Sequence, residues 1–232
     1  TTTTGRLLLR WSDGEAKYAG QLDDYAFYGL ALLALYETTW EPSYLQQAVT
    51  TSHWLLRLFA DEAQGGFFLY AHDSEALITR PKEAYDGALP SGNAAAALLL
   101  TRLAHLTADE FWQQAADQQL GYLTGALKRY PAGSAYALLA MLETLSPAPV
   151  LIITTREAAL SAETQSLLRT SAQPLTVLVK TPATEAVLTH CAPFAEDHPL
   201  PEQGEAFYLC RQGACLAPVY TTAALQSLLM DQ

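Results

Sequence analysis

The sequence predicts a mainly α protein, a partial (α/α) toroid of helical hairpins followed by a small C-terminal α/β segment. Three observations predict it. An internal repeat runs through the first part. With Leu22 set against Leu89, Leu33 falls on Leu100, Tyr44 on Phe111, and Gln46-Gln47-Ala48 on Gln113-Gln114-Ala115. Repeated helical hairpins mark solenoids and toroids. The helices also alternate between apolar all round and striped on one face, as an inner ring wrapped by an outer ring requires. After Pro147 the pattern shifts to short runs of β-branched residues.

The elements follow in order. Arg6 to Trp11 is strand-like, Asp13-Gly14 is a turn signal, and a second short run completes a hairpin over residues 6–19. The first helix carries Leu22, Ala26, Gly29, Leu33 and Tyr36 on one face and Tyr25, Tyr28, Leu32 and Leu35 on another, which buries it on several sides. The second has one stripe, Leu45, Ala48, Leu55 and Phe59, and is a surface helix. The third (Asn93 to Leu106) is apolar all round. The fourth (Asp109 to Leu127) has the stripe Trp112, Ala115, Leu120 and Leu123. The fifth (Ser134 to Leu145) returns to the buried type. Five helices are about half of a closed double ring, so either the arc is open or further hairpins precede Thr1. Thr1 to Thr4 and Gly5 carry no initiating Met, and the expectation is a chain that starts inside a longer protein.

The domains expected are a helical-hairpin region, 1–146, and a small α/β segment, 147–232. In the latter, Val150 to Thr154 and Leu175 to Lys180 read as strands around a helix from Ala158 to Thr170. Such a βαβ unit pairs its strands in parallel. Ala206 to Arg211 and Leu216 to Val219 flank a turn at Gly213, and Thr221 to Met230 is a closing helix. Residues 181–205, with four prolines, read as loop.

Composition narrows the function. The 24 Asp and Glu outnumber the 13 Lys and Arg, for a net charge of −11. Such a surface repels phosphate backbones, so no nucleic-acid partner is expected. No apolar run reaches the roughly 20 residues of a membrane span, and no membrane partner is expected. Cys191, Cys210 and Cys215 are too few for a disulfide scaffold, so reduced thiols in the cytoplasm are expected, with a Cys210–Cys215 bridge disfavoured there. Cys210 and Cys215 lack the close Cys-x2-Cys spacing of zinc sites and no second pair exists, so neither a metal nor another cofactor is expected.

Chemistry is expected where inner helices begin. In a toroid their N-termini gather at one end, offering free N–H groups and a positive dipole end. Those starts carry Asp23-Asp24, Ser91-Gly92-Asn93 and Gly133-Ser134. The return loop, residues 61–92, brings His72, Asp73, Arg80, Lys82, Glu83 and Asp86. Carboxylates, a lysine and the rings of Tyr25 and Tyr85 suit a polyhydroxylated ligand such as a sugar. The expected catalytic groups are Asp23, Asp24 and Asp86. The expected ligand contacts are Tyr25, His72, Arg80, Lys82, Glu83, Tyr85, Ser91 and Asn93. The plainer alternative makes Asp23, Asp24 and Ser91 helix caps, Asp86-Gly87 a turn, and Lys82 and Glu83 a solvated pair.

Several motifs carry a resemblance. Gly20 to Phe27, Gly65-Gly66-Phe67-Phe68, Arg80-Pro81-Lys82, Asp86 to Asn93 and the Cys-x4-Cys-x-x-Pro run from Cys210 to Pro218 resemble the YyaL-like family, bacterial relatives of a spermatogenesis-associated thioredoxin-domain protein. The resemblance covers nearly the whole chain. It implies a six-hairpin toroid similar to N-acylglucosamine 2-epimerases and glycoside hydrolases. The carboxylates clustered at the inner-helix starts point to an epimerase-like or glycosidase-like activity on that scaffold. The resemblance also implies that this chain is the C-terminal part, lacking a thioredoxin-like domain that would be its partner. The alternative function is a non-catalytic binding or scaffold module for that domain. The family pattern has an Asp after the Gly-Gly-Phe-Phe run. Leu69 and Tyr70 stand there instead, which implies either lost activity or a different mode of binding.

Overall fold

The computed structural model describes residues 5–75, 78–211 and 213–230. Thr1 to Thr4, from which an internal start was read, lie outside them. The described residues are mainly helical with an α/β part at the C-terminal end, as expected. They divide into two compact units.

The first unit comprises Thr1–Ala34, Gln47–Ala104 and Asp109–Ser146. It opens with an antiparallel hairpin, β1 (Leu8–Ser12) and β2 (Glu15–Ala19). Asp13 and Gly14 both have positive φ, 53° and 80°, the two-residue turn that matches strand twist. Helices α1 (Leu22–Thr39), α2 (Pro42–Phe59), α3 (Gly92–Thr107), α4 (Glu110–Arg129) and α5 (Ala135–Leu145) follow, with a 3-10 turn at Pro131–Ser134 before α5.

Local signals start these helices. Pro42 stands at the first position of α2, where its missing N–H costs nothing. Asp109 caps α4 by accepting the Phe111 N–H, and Ser91 caps α3 by accepting the Ala94 N–H. The turns that follow α1 and α3 are alike, though they stand one residue out of step with the repeat. Trp40, just past α1, and Ala108, just past α3, both adopt left-handed φ, 56° and 50°. Each stands in the position that terminates a helix and turns the chain.

Helix α3 touches three others. Gly29 of α1 lies so close to it that a Cβ there would sit 2.5 Å from Leu99. Asn93 hydrogen-bonds Gln119 of α4, and Arg102 pairs with Glu143 of α5 at 2.8 Å. Ala94 to Leu100 are all buried, which explains why this helix is apolar on every side. Helices α2 and α4 meet through His53 and Trp112, with ring centroids 4.7 Å apart. Helix α5 departs from the expected buried type. Ala137 and Ala140 are buried, but Leu138, Leu139, Leu142 and Leu145 are 43% to 79% exposed.

The second unit comprises Leu35–Gln46, His105–Ala108 and Pro147–Gln232. Its elements are β3 (Val150–Thr155), α6 (Ala162–Thr170), β4 (Thr176–Lys180), α7 (Glu185–Cys191), a 3-10 turn at Pro193–Asp197, β5 (Glu205–Arg211), β6 (Ala214–Cys215) and α8 (Thr222–Met230). The sheet order is β4-β3-β5-β6, with β3 and β4 parallel and the other pairs antiparallel. Period-2 alternation divides the sheet's faces. Leu151, Ile153, Val179, Phe207 and Leu209 form a core with Leu225 and Leu229 of α8, and Ile152, Leu178, Tyr208 and Cys210 alternate with them.

Four expectations are corrected here. Residues 181–205 are not simply loop. Glu185 to Cys191 form α7, because the four prolines stand outside it and leave a run of helix formers between them. Helix α6 begins at Ala162 rather than Ala158, since the Ser161 side chain caps it by accepting the Thr164 N–H. The last strand covers only Ala214–Cys215, and Val219 returns as a single bridge to Phe207. Finally, Cys210 and Cys215 are joined as a disulfide instead of standing as free thiols. They face one another across the β5–β6 turn. The neighbouring pair, Leu209 and Leu216, carries the hydrogen bond, which leaves the cysteines in the closer, non-hydrogen-bonded pairing. Cys191 remains a buried thiol, pushed up to about 11 by burial. Among the described residues, no helix is long and apolar enough to cross a membrane.

Candidate functional site

The starts of α1, α3 and α5 converge in the first unit, and backbone N–H groups join them. The Gly92 N–H at the start of α3 hydrogen-bonds the Asp23 carboxylate at the start of α1. Asp86 bridges the other two. Its Oδ1 accepts the Ser91 N–H at 2.9 Å and its Oδ2 accepts the Tyr136 N–H of α5 at 2.7 Å. A Cβ on residue 92 would fall 2.0 Å from Asp23 Oδ1, so any larger residue there displaces that carboxylate.

Each carboxylate has a distinct environment. Asp24 reaches back to the Gln21 N–H at 2.7 Å, closing a capping box on α1. Both oxygens of Asp86 are occupied by helix starts. Asp23 is half-buried, and burial pushes its carboxyl above the ordinary range. The nearby charges of Glu83 and Asp24 add to that rise, and the Gly92 N–H opposes it. Asp23 and Glu83 therefore form an interacting pair in which one carboxyl holds its proton more tightly than usual.

The return loop is held by its polar side chains. Asn93, 1% exposed, binds with every amide group. Its Oδ1 accepts the Phe67 N–H and Gln119 Nε2, and its Nδ2 donates to the carbonyls of Phe67 and Glu83. Lys82 Nζ donates to Asp61 Oδ2 at 2.7 Å and to the Gly65 carbonyl at 2.9 Å, between the rings of Phe68 and Tyr122. This cation holds the Asp61 carboxyl below its usual range. Arg80 donates to the Tyr70 carbonyl and lies 4.0 Å from the centre of the Phe68 ring. Leu69 accepts the Leu22 N–H through its backbone, so the residues after Phe68 help to cap α1.

The expected contact residues thus separate into groups. Tyr25 is 1% exposed, accepts the Leu7 N–H and packs edge-on against Phe59, so its ring belongs to the core. Ser91, Asn93 and Lys82 are engaged in holding the fold. His72 is exposed beside Asp73, which pairs with Arg6. Glu83 is exposed, and Tyr85, 63% exposed, stacks on Tyr130 at 10° between planes. Asp61, Gln119 and Tyr130 escaped the sequence reading. The spacing of Asp61 from Lys82 gives no periodic signal, and the Gln119 contact needs α3 and α4 to be docked.

A helical unit with a polar cluster at converging helix starts, joined to an α/β unit, is the class this structure defines. Comparison with known proteins finds homology at modest identity. The chain is 29% identical over 215 residues to human spermatogenesis-associated protein 20, covering 90% of this chain and 27% of that protein. It is 36% identical over 128 residues to the mouse protein of the same name, covering 55% of this chain and 16% of that one. The chain spans about a quarter or less of the length of the curated relatives it matches. No family model matches it.

Proposed function

We propose that the first unit is part of a carbohydrate-active enzyme, epimerase-like or glycoside-hydrolase-like, with Asp23 and Glu83 as its working carboxyl pair. The observation that carries this reading is the environment of Asp23, half-buried, beside Glu83 and held by the Gly92 N–H. Sugar chemistry of both kinds needs one group that gives a proton and one that accepts it. Asp23 fits the donor and Glu83 the acceptor. Tyr85 and Tyr130 offer exposed aromatic faces near this loop for an apolar sugar face.

The test is titration of the chain with monosaccharides and disaccharides, followed by NMR detection of anomeric or epimeric change. Binding that Glu83→Gln and Asp23→Asn both abolish supports the reading. Sugar turnover that survives both substitutions ends it.

A second reading, a protein-binding or scaffold module for a thioredoxin-like domain, draws on the leucines of α5. Leu138, Leu142 and Leu145 recur at helical spacing and are 43%, 60% and 79% exposed. Such stripes mark contact surfaces. Leu142→Glu is expected to abolish capture of that domain under this reading and to leave sugar binding unchanged.

A further inference from the structure

The second unit brings together three metal-ligating side chains that the sequence keeps apart. The ligand atoms of His198, Cys210 and Cys215 all lie within 4.8 Å of one another. The loop after α7 supplies His198, and the β5–β6 turn supplies the two sulfurs. No Cys-x2-Cys spacing announces this arrangement, because cross-strand pairing performs the same task.

The histidine is set up as a ligand. It is 8% exposed, and its Nδ1 lies 3.0 Å from the Phe194 carbonyl. A carbonyl can only accept, so Nδ1 carries the hydrogen and Nε2 keeps its lone pair. A backbone carbonyl behind one imidazole nitrogen is the usual outer support of a metal-bound histidine. The Tyr208 ring packs edge-on against the imidazole at 4.7 Å and restricts it.

We propose that His198 Nε2 and the thiolates of Cys210 and Cys215 bind one zinc ion once a dithiol reductant opens the Cys210–Cys215 bridge. The reductant becomes a disulfide and delivers two electrons and two protons, which gives two thiols. Each thiol releases its proton on ligating the metal. Two thiolates and one imidazole match zinc in charge and softness. Tetrahedral zinc–sulfur bonds place the sulfurs about 3.8 Å apart, so the side chains need only rotate away from bonding distance. Cys215 is exposed, which leaves the fourth position to water or an exogenous donor. The hairpin thereby exchanges a covalent clasp for a metal clasp according to its redox surroundings.

The experiment uses the full chain, oxidised or reduced with a dithiol and desalted without oxygen. Zinc content and cobalt absorption are then measured. The expected result is one zinc per reduced chain, none on the oxidised chain, and a thiolate-to-cobalt charge-transfer band with tetrahedral d–d bands. Cys215→Ser, at an exposed position, is expected to keep the far-UV circular dichroism of the parent and to weaken binding more than about 100-fold. That exceeds the roughly 10–100-fold cost of changes to outer support. His198→Gln is expected to remove the imidazole signature while the thiolate band remains. A reduced chain that holds no more zinc than folded Cys215→Ser overturns the proposal. So does a His198→Gln chain that binds zinc as the parent does.

Discussion

The Gly92 backbone N–H donates to the carboxylate of Asp23, joining the first turns of α1 and α3 where a side chain on residue 92 would displace that carboxylate. One hydrogen bond thus serves both packing and charge. It leaves Asp23 half-buried next to Glu83, with a proton affinity raised by burial first and by neighbouring carboxylates second.

Asp23→Asn separates stability from function. A carboxyl raised in the folded state stabilises fully below its ordinary pKa, near 4, and that contribution fades as pH rises through the folded pKa. The asparagine variant escapes this loss and can still accept the Gly92 N–H. It is expected to be at least as stable as the parent at pH 7, with the parent gaining relative to it toward pH 4. Urea melts at both values check this, and sugar binding is expected to vanish in the same variant.

Asp61 has the opposite sign. Lys82 holds its carboxyl below the ordinary range, so the pair stabilises above that range and is lost as pH falls through the folded pKa. Lys82→Met is expected to lower the melting temperature at pH 7 and to flatten its fall below pH 4. Thermal melts across that window, parent against variant, provide the comparison.

Asn93→Ala is expected to be among the most damaging single changes in the chain. It strands the Phe67 N–H and carbonyl and the Glu83 carbonyl, all held by one amide. Each buried orphan costs about 1–3 kcal/mol, so a loss of roughly 3 kcal/mol or more is expected from chemical denaturation. The isosteric Asn93→Asp keeps the shape but turns a carboxylate oxygen toward the carbonyls of Phe67 and Glu83, which can only accept, and is expected to be at least as damaging.

Ala108→Gly is expected to stabilise. Ala108 is exposed and left-handed at φ 50°. Such a residue costs about 1 kcal/mol relative to glycine, partly offset by the greater freedom of glycine when unfolded. A rise of a few degrees in melting temperature is the expected reading.

What the sequence made legible were features written locally. Asp13-Gly14, the stripe of α2 and the all-apolar α3 each carry their signal within a few turns and appear where expected, whereas the buried face of α4 runs through Trp112, Ala116, Gln119, Leu123 and Leu127 instead of Ala115 and Leu120. Helix α7 was hidden by prolines that flank it. The exposure of α5 could not be read, because apolar spacing reports what a residue is and not what covers it. In the site, the fate of Asn93 was illegible for a related reason. A buried asparagine that satisfies distant carbonyls has the same local sequence as one that greets a ligand. The Cys210–Cys215 bridge was set aside on compartment grounds, yet cross-strand position brings the sulfurs together.

The return loop is anchored at separate points along its length, by Lys82, by Asn93 and by Asp86. Hydrogen exchange should record this as a discontinuous pattern within one loop. The amides of Phe67, Leu69 and Asp86, bound to partners outside their own turn, should exchange slowly, whereas Gly87, bonded only to nearby Leu89, should exchange fast. A segment without regular secondary structure would then share the opening free energy of the helices it is tied to. Glu83, between two of those anchors, would meet a ligand from a fixed position.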